Sequence, residues 1–509
     1  MSRSDSKPLG RGPGSDPRKD APRDEGPQPQ WVEKSATWET IKKLLTPLAS
    51  LKLTVVLFAL GMFLVLAGTL AQVDYGIWTV MDTYFRTPIA WIELQVFMRD
   101  EWARDWGLIS DTGKALEVPF PGGYILGGLM IVNLIAAHSI RFKIAARGNQ
   151  LIFGVIGSII GGGIVFYAIL AATQSIWPLE HPLPFWDVFN LSLVGLVVLA
   201  FPSFLLYRKR TGIVLLHAGV IVLLINEAVT GLGAVEGRME IPQQGTSNYV
   251  YDLESSEMAL RTINDKGGQD VIVVPEWMLI EAAETKTDID DKRLPVILRV
   301  DDYMPNSTLE RMGGPVAKAP ATKGRIGAEY VAHAAKVGTG VDGEASADVP
   351  SAYITLIDRT TRQPIGTYLF SVRISAGSDY YEDINLGGKV YDINLQFARE
   401  YKPYSIYLAE FRHDKFTGTE KARNFSSDIL LFDEDHPDGR KVHIKMNEPF
   451  RYRGETFFQS AFLPGDTGTI LQVVRNPGYL IPYIGCTMVA LGMTFHFILH
   501  LIRFVRRSI

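Results

Sequence analysis

The 509-residue sequence has one cysteine, Cys486. A single thiol can form no internal disulfide, no CxxC redox centre and no cysteine-rich metal site. Lying within an apolar run, Cys486 reads as a small packing residue. The CxxCH haem-attachment motif is absent too, so the chain is not itself a c-type cytochrome. Strong charge of either sign is also lacking. With a net charge of -4 at pH 7, the chain has no basic field to attract nucleic acid, and no nucleic-acid partner is expected.

What is present is long stretches without charge. A chain of this length would allow several soluble domains, but the apolar residues are concentrated in runs long enough to cross a bilayer core about 30 Å thick. Six candidate spans follow: Leu51 to Leu70, Gly122 to Phe142, Leu151 to Ala172, Phe185 to Leu206, Gly212 to Ala234 and Tyr479 to Leu501. The expected fold class is an integral membrane protein of about six transmembrane α-helices with one large extracytoplasmic β-rich domain, sandwich or barrel-like.

Lysine and arginine set the orientation. Lys34, Lys42, Lys43 and Lys52, then Arg141, Lys143 and Arg147, then Arg208, Lys209 and Arg210, and finally Arg503, Arg506 and Arg507 all fall on one side. The opposite loop Thr173 to Pro184 has neither residue. The positive-inside rule puts both termini in the cytoplasm, in a multi-pass protein of the cytoplasmic (inner) membrane with a periplasmic or extracytoplasmic domain. Residues 1–45 read as a disordered tail, rich in Pro, Gly and charge near the start. The first span then reads as a retained signal anchor.

The domain boundaries follow: a transmembrane region at 46–234, the external domain at 235–476, and a final span with a basic tail at 477–509. Within the external domain, alternating β-branched and aromatic segments point to strands at Val271 to Val274, Val296 to Val300, Ala352 to Ile357, Thr367 to Val372, Lys389 to Ala398, Ser405 to Phe411, Asp428 to Phe432 and Thr469 to Val474. Turn signals such as Gly387-Gly388 and Asp438-Gly439 separate them. The Gly/Ala-rich stretch Arg311 to Pro350 reads as a mobile loop. The external histidines lack metal-ligand spacing.

His217 lies in the span GIVLLHAGVIVLLINEAVTGLGA. An ionisable side chain in lipid is costly and normally faces a partner, a cavity or a ligand, and a neutral imidazole is a ready axial ligand for haem iron. At 1.5 Å rise per residue it lies about 9 Å from mid-span, and His138 and His496 come out at similar depth on other spans. His500 shares a helix face with His496 but lies nearer the headgroups. For His138 and His500 the plain alternative is an interfacial hydrogen bond, and for His496 an interhelical one. His217 fits such an explanation least well.

The segments LASLKLTVVLFALGMFLVLAGTLAQ and LLHAGVIVLLINEAVTGLGAVEG, with the late block FSSDILLF, MNEPFRYRGETFFQSAF and VVRNPGYLIPYIG, resemble the ResB (CcsB) family of system II cytochrome c biogenesis. The N-x-P-x-x-Y-x-G-x-x-x-F-Q-S string of the late block is the most specific part. The resemblance implies a non-catalytic or co-catalytic subunit of a cytochrome c synthase. Such a subunit would work with a ResC (CcsA)-like membrane partner to carry haem b, bound in transit, across the membrane to apocytochrome c. It also implies His217 as the haem axial ligand, with His138 and His496 as alternatives, and a separate thiol-reducing pathway. No tryptophan-rich motif of the ResC side is present, and two spans, Leu151 to Ala172 and Phe185 to Leu206, exceed the usual ResB pattern. Residues Asn447 to Ser460 read as framework.

Two other classes compete. A bis-histidine membrane cytochrome b would pass electrons through His138 with His217 or His496. A membrane-anchored β-domain scaffold would use its histidines only for packing.

Overall fold

The computed structural model describes residues 36–98, 102, 106, 116–141, 144–172, 185–264, 267–312, 320–335, 348–375, 380–386, 388–418 and 422–508. Residues 1–35, which make up most of the expected tail, and His181 in the loop after residue 172 lie outside them. Residues 36–45, expected as tail, are helical: α1 is Ala36–Leu48. Its Glu39 with Lys42 and Lys43 makes it too polar to be a seventh span.

The six apolar runs are all helices: α2 (Leu51–Tyr75), α3 (Gly123–Arg141), α4 (Asn149–Ala172), α5 (Phe185–Tyr207), α6 (Thr211–Gly233) and α7 (Ile481–Ser508). A run that is apolar all round has no solvent face to keep and must satisfy its backbone internally, which helices do. Ser50 caps α2, its hydroxyl accepting from the Lys52 N–H at 3.2 Å, and Gly76 at φ 78° ends it. The stretch Trp186–Gly233 is a single apolar region. It folds as two helices because a 3-10 turn at Arg208–Arg210, with Arg208 at φ 47°, reverses the chain.

The reversal is visible against α7. Phe189 meets Tyr483 and Phe204 meets Phe495, so α5 runs parallel to α7. Gly212 faces Gly492 and Gly219 faces Gly485, so α6 runs antiparallel to it. A Cβ on Gly212 would stand 2.6 Å from the Gly492 carbonyl oxygen, and one on Gly219 2.8 Å from that of Gly485. Small residues seven apart on both helices thus let two backbones approach, as membrane packing favours. In α4, a Cβ on Gly157 would press on Pro202 of α5 at 2.5 Å and one on Gly161 on the Leu199 nitrogen at 2.6 Å. Cys486 is exposed on α7, not packed as expected, because that helix turns its glycine face inward.

A short hairpin, β1 (Ile89–Glu93) with β2 (Glu117–Pro121), lies between α2 and α3. The β domain is built from β3 (Val235–Pro242), β4 (Thr246–Ile263), β5 (Gln269–Pro275), β6 (Val296–Met304), β7 (Ser307–Arg311), β8 (Tyr330–Ala334), β9 (Ser351–Asp358), β10 (Pro364–Ser371), β11 (Glu382–Leu386), β12 (Lys389–Lys415), β13 (Ala422–Phe432), β14 (Arg440–Lys445), β15 (Phe450–Tyr452), β16 (Glu455–Phe462) and β17 (Gly468–Arg475). Its main sheet runs β14-β13-β12-β4-β3-β17-β16-β15, with β5 added to β4 and β11 to β12.

That sheet curls around one core, where Met239, Ile406, Leu431, Ile444, Phe457 and Leu471 are fully or almost fully buried. Its other half packs on the three-stranded sheet β10-β9-β6 through Met258, Leu260, Leu298, Ile354, Leu356 and Phe370. The expected sandwich or barrel is therefore both at once, since the long β12 serves the two cores. All eight expected segments are extended, but Lys389 to Ala398 and Ser405 to Phe411 belong to the one long strand β12, so they form seven strands. Of the expected loop Arg311 to Pro350, residues 313–319 and 336–347 lie outside the described residues, and in the remainder the short helix Arg325–Glu329 leads into β8, which pairs with β7. Val331 and Ala332 are buried there, so two small apolar residues suffice to anchor a strand in glycine-rich sequence. Strands β3 and β17 pair from Val235↔Arg475 outward, so the domain rises directly from the end of α6 and the start of α7.

Candidate functional site

His217 and His138 face each other across α6 and α3. The His217 Nδ1 is 3.2 Å from the His138 Nε2, and the rings meet edge to face at 4.8 Å and 85°. The His138 Nδ1 is 2.8 Å from the Leu134 carbonyl oxygen. A carbonyl can only accept, so His138 Nδ1 carries hydrogen. In a neutral pair, His138 Nε2 then accepts from His217 Nδ1–H, and His217 Nε2 is left with its lone pair. The network thus assigns the tautomers and makes His217 Nε2 the ligand-competent atom.

The glycine face of α6 turns away from this pair. Gly212, Leu216, Gly219 and Leu223 abut α7; His217 projects roughly 100° or more from them at 3.6 residues per turn. Five residues before His138, α3 is held by buried Asn133. Its amide donates to the carbonyls of Leu48 at 2.5 Å and Ser50 at 3.2 Å, while its oxygen accepts from the Thr54 hydroxyl at 2.7 Å. Asn133 was missed in the sequence; a lone amide in an apolar run was its only signal.

The third candidate lies elsewhere. The His496 backbone abuts Gly212, five residues from His217 and so about 7.5 Å further toward the basic end. His496 pairs with His500 at 4.5 Å between ring centroids. The matched depth expected for His496 does not arise, because the glycine contact sets the register of α6 against α7. His138 and His217, by contrast, are in direct hydrogen-bonding contact, their ring nitrogens 3.2 Å apart.

The donor set nonetheless fits haem at one axial position. His217 offers an unprotonated nitrogen, and His138 holds the ring through its other nitrogen, as partners beyond the ligand shell do in metal sites.

Outside the membrane, His413, His436 and His443 hydrogen-bond to Asp466, Asp433 and Asp428, and His333 to Glu310. No group of three metal-ligating side chains forms among the described residues. The late sequence block is framework. Asn447 at φ 64°, Arg453 at φ 45° and Gly454 at φ 79° make its turns. Glu455 is buried and receives Lys402 Nζ at 2.6 Å and the Tyr404 hydroxyl. Burial first, then the Glu455 hydrogen bond, pushes Tyr404 well above the ordinary phenol range.

Residues 376–470 match the ResB-like family. Protein NrfI of Wolinella succinogenes is 29% identical over 91 residues, covering 18% of this chain and 10% of that protein. The matched segment spans β11 to the start of β17 and contains Glu455 and the N-x-P-x-x-Y string, but neither His217 nor His138. Residues 376–470, which supply most of the curled half of the β domain, are therefore the part of the chain that is similar to the ResB-like family.

Proposed function

We propose that this chain is the ResB-like half of a cytochrome c synthase. In this reading His217 holds haem within the membrane while a ResC/CcsA-like partner completes the site and apocytochrome c receives the haem. The observation that carries the proposal is the hydrogen-bonded pair, which presents one lone-pair nitrogen and one orienting imidazole rather than two ligands for the same iron. Half a site calls for a partner. Glu227 on α6 supports that need, since it is exposed within an apolar helix and such a group in lipid is costly unless a neighbour meets it.

Bound haem would supply the iron and the macrocycle to be attached. The chain's own residues would do three things: His217 Nε2 would bind, His138 would orient, and the apolar faces of α3 and α6 would exclude water. With one cysteine the chain has no dithiol, so a separate pathway would keep the apocytochrome thiols reduced. In this reading both termini are cytoplasmic and the β domain lies outside, as the Lys and Arg at the helix ends support.

The test is co-purification. A tagged full-length chain should bring down a polytopic membrane partner and a haem spectrum. His217→Ala should strip haem and stop holocytochrome formation at unchanged protein level, and added imidazole should partly restore it. Wild-type haem in His217→Ala would overturn the assignment. Full haem retention by the chain purified alone would favour the bis-histidine cytochrome.

A further inference from the structure

At the basic end of the membrane helices, α4, α5 and α7 leave a cavity of about 430 Å³ between them. Its upper wall is apolar, with Phe204 of α5 and Leu499 of α7 among its residues, and its rim carries Arg208, Lys209, Arg503 and Arg506. No acidic side chain lines it. The only hydrogen bond found for these four cations among the described residues runs from Arg208 to the Gln150 amide oxygen at 3.3 Å.

The chain invests in this arrangement. Arg208 adopts φ 47° to close the tight reversal between α5 and α6, a conformation that costs a non-glycine residue stability. That reversal sets Arg208 and Lys209 opposite the end of α7. Four like charges gathered over an apolar cleft repel one another unless an anion sits among them. Guanidinium groups match phosphate geometry in particular. The position at the end of membrane helices, with the apolar wall continuing into the hydrocarbon-facing surface, selects an amphiphile over a free ion.

We infer that this cavity is a binding site for one anionic phospholipid, its phosphate held by Arg208, Lys209, Arg503 and Arg506 and an acyl chain lying against Phe204 and Leu499. The lipid would fasten α4 and α5 to α7, and through α7 fix α6 and His217. The site stands independently of any haem role, since none of its residues touches the histidine pair.

The test is native mass spectrometry of the full-length protein in detergent, titrated with dioleoyl-phosphatidylglycerol, dioleoyl-phosphatidylcholine and inorganic phosphate. One phosphatidylglycerol should bind in preference to phosphatidylcholine. The double substitution Arg503→Gln/Arg506→Gln should weaken that preference roughly thirtyfold, at a few-fold for each interfacial cation. Arg507→Gln, outside the cavity, should leave it unchanged. If the double variant does not fold, Lys209→Gln alone should still weaken it a few-fold. Equal binding of the two lipids would overturn the proposal, as would displacement of phosphatidylglycerol by millimolar phosphate. So would one-for-one displacement by haem, which would make haem the occupant.

Discussion

His138 Nε2 accepts a hydrogen bond from His217 Nδ1 across the α3–α6 interface at 3.2 Å, while its own Nδ1–H is held by the Leu134 carbonyl. The pair is thus asymmetric: His138 is held at both ring nitrogens, while His217 Nε2 keeps its lone pair.

The two residues should therefore respond differently to substitution. On the proposed haem reading, His217→Ala would remove the ligand, whereas His138→Ala would leave it but free its ring, so haem affinity should fall about 10- to 100-fold, the usual cost of losing a partner behind a metal ligand. His138→Gln, which can still accept from Nδ1–H, should recover part of that loss. Haem titration into the purified complex reads both, and equal loss in His138→Ala and His217→Ala would refute the division.

Asn133→Ala should destabilise the helical region by about 2 kcal/mol, because it removes the buried amide that ties α3 to the Leu48 and Ser50 carbonyls and to the Thr54 hydroxyl. Thermal unfolding in detergent measures this. On the proposed haem reading, haem content should fall with it, since Asn133 fixes α3 five residues from His138.

Gly219→Leu should separate α6 from α7. Even a Cβ there would stand 2.8 Å from the Gly485 carbonyl oxygen, and the contact is backbone, which cannot rotate away. A loss of about 3 kcal/mol or more is expected from such overpacking. By contrast, a Cβ on Gly61 meets nothing within 4 Å, so Gly61→Leu should be silent in the same assay.

The β domain should grow less stable as pH rises through the weakly acid range. Burial raises the pKa of Glu257, and the Gln396 hydrogen bond only partly offsets this. The folded form then keeps its proton where the unfolded chain has lost it, so stability falls from the ordinary value near 4.5 up to the raised folded value. Glu257→Gln should flatten that slope. Denaturant midpoints of the full-length protein at pH 4.5 and 7 provide the comparison.

Reporter fusions after Gly148, after Arg210 and at the C-terminus should read cytoplasmic, and one inside Val235 to Asn476 external. A cytoplasmic β domain would reverse the expected topology.

Membrane helices were legible in the chain because a bilayer imposes a simple condition, about twenty apolar residues in a row, and each of the six runs meets it. Seven strands were legible for a similar reason, since alternation marks a half-buried sheet locally, though the continuity of β12 through residues 399–404 was not. The family block was legible as an unusual string, and Glu455 beneath Lys402 and Tyr404 shows what that string builds. The partner of His217 was not legible. Helix depth admitted His138 and His496 alike, and depth carries no information about rotation or register. The glycine contacts of α6 with α7 turn His217 toward α3 and set His496 about one and a half turns away. Those contacts join residues some 270 positions apart, and only the folded chain brings them together.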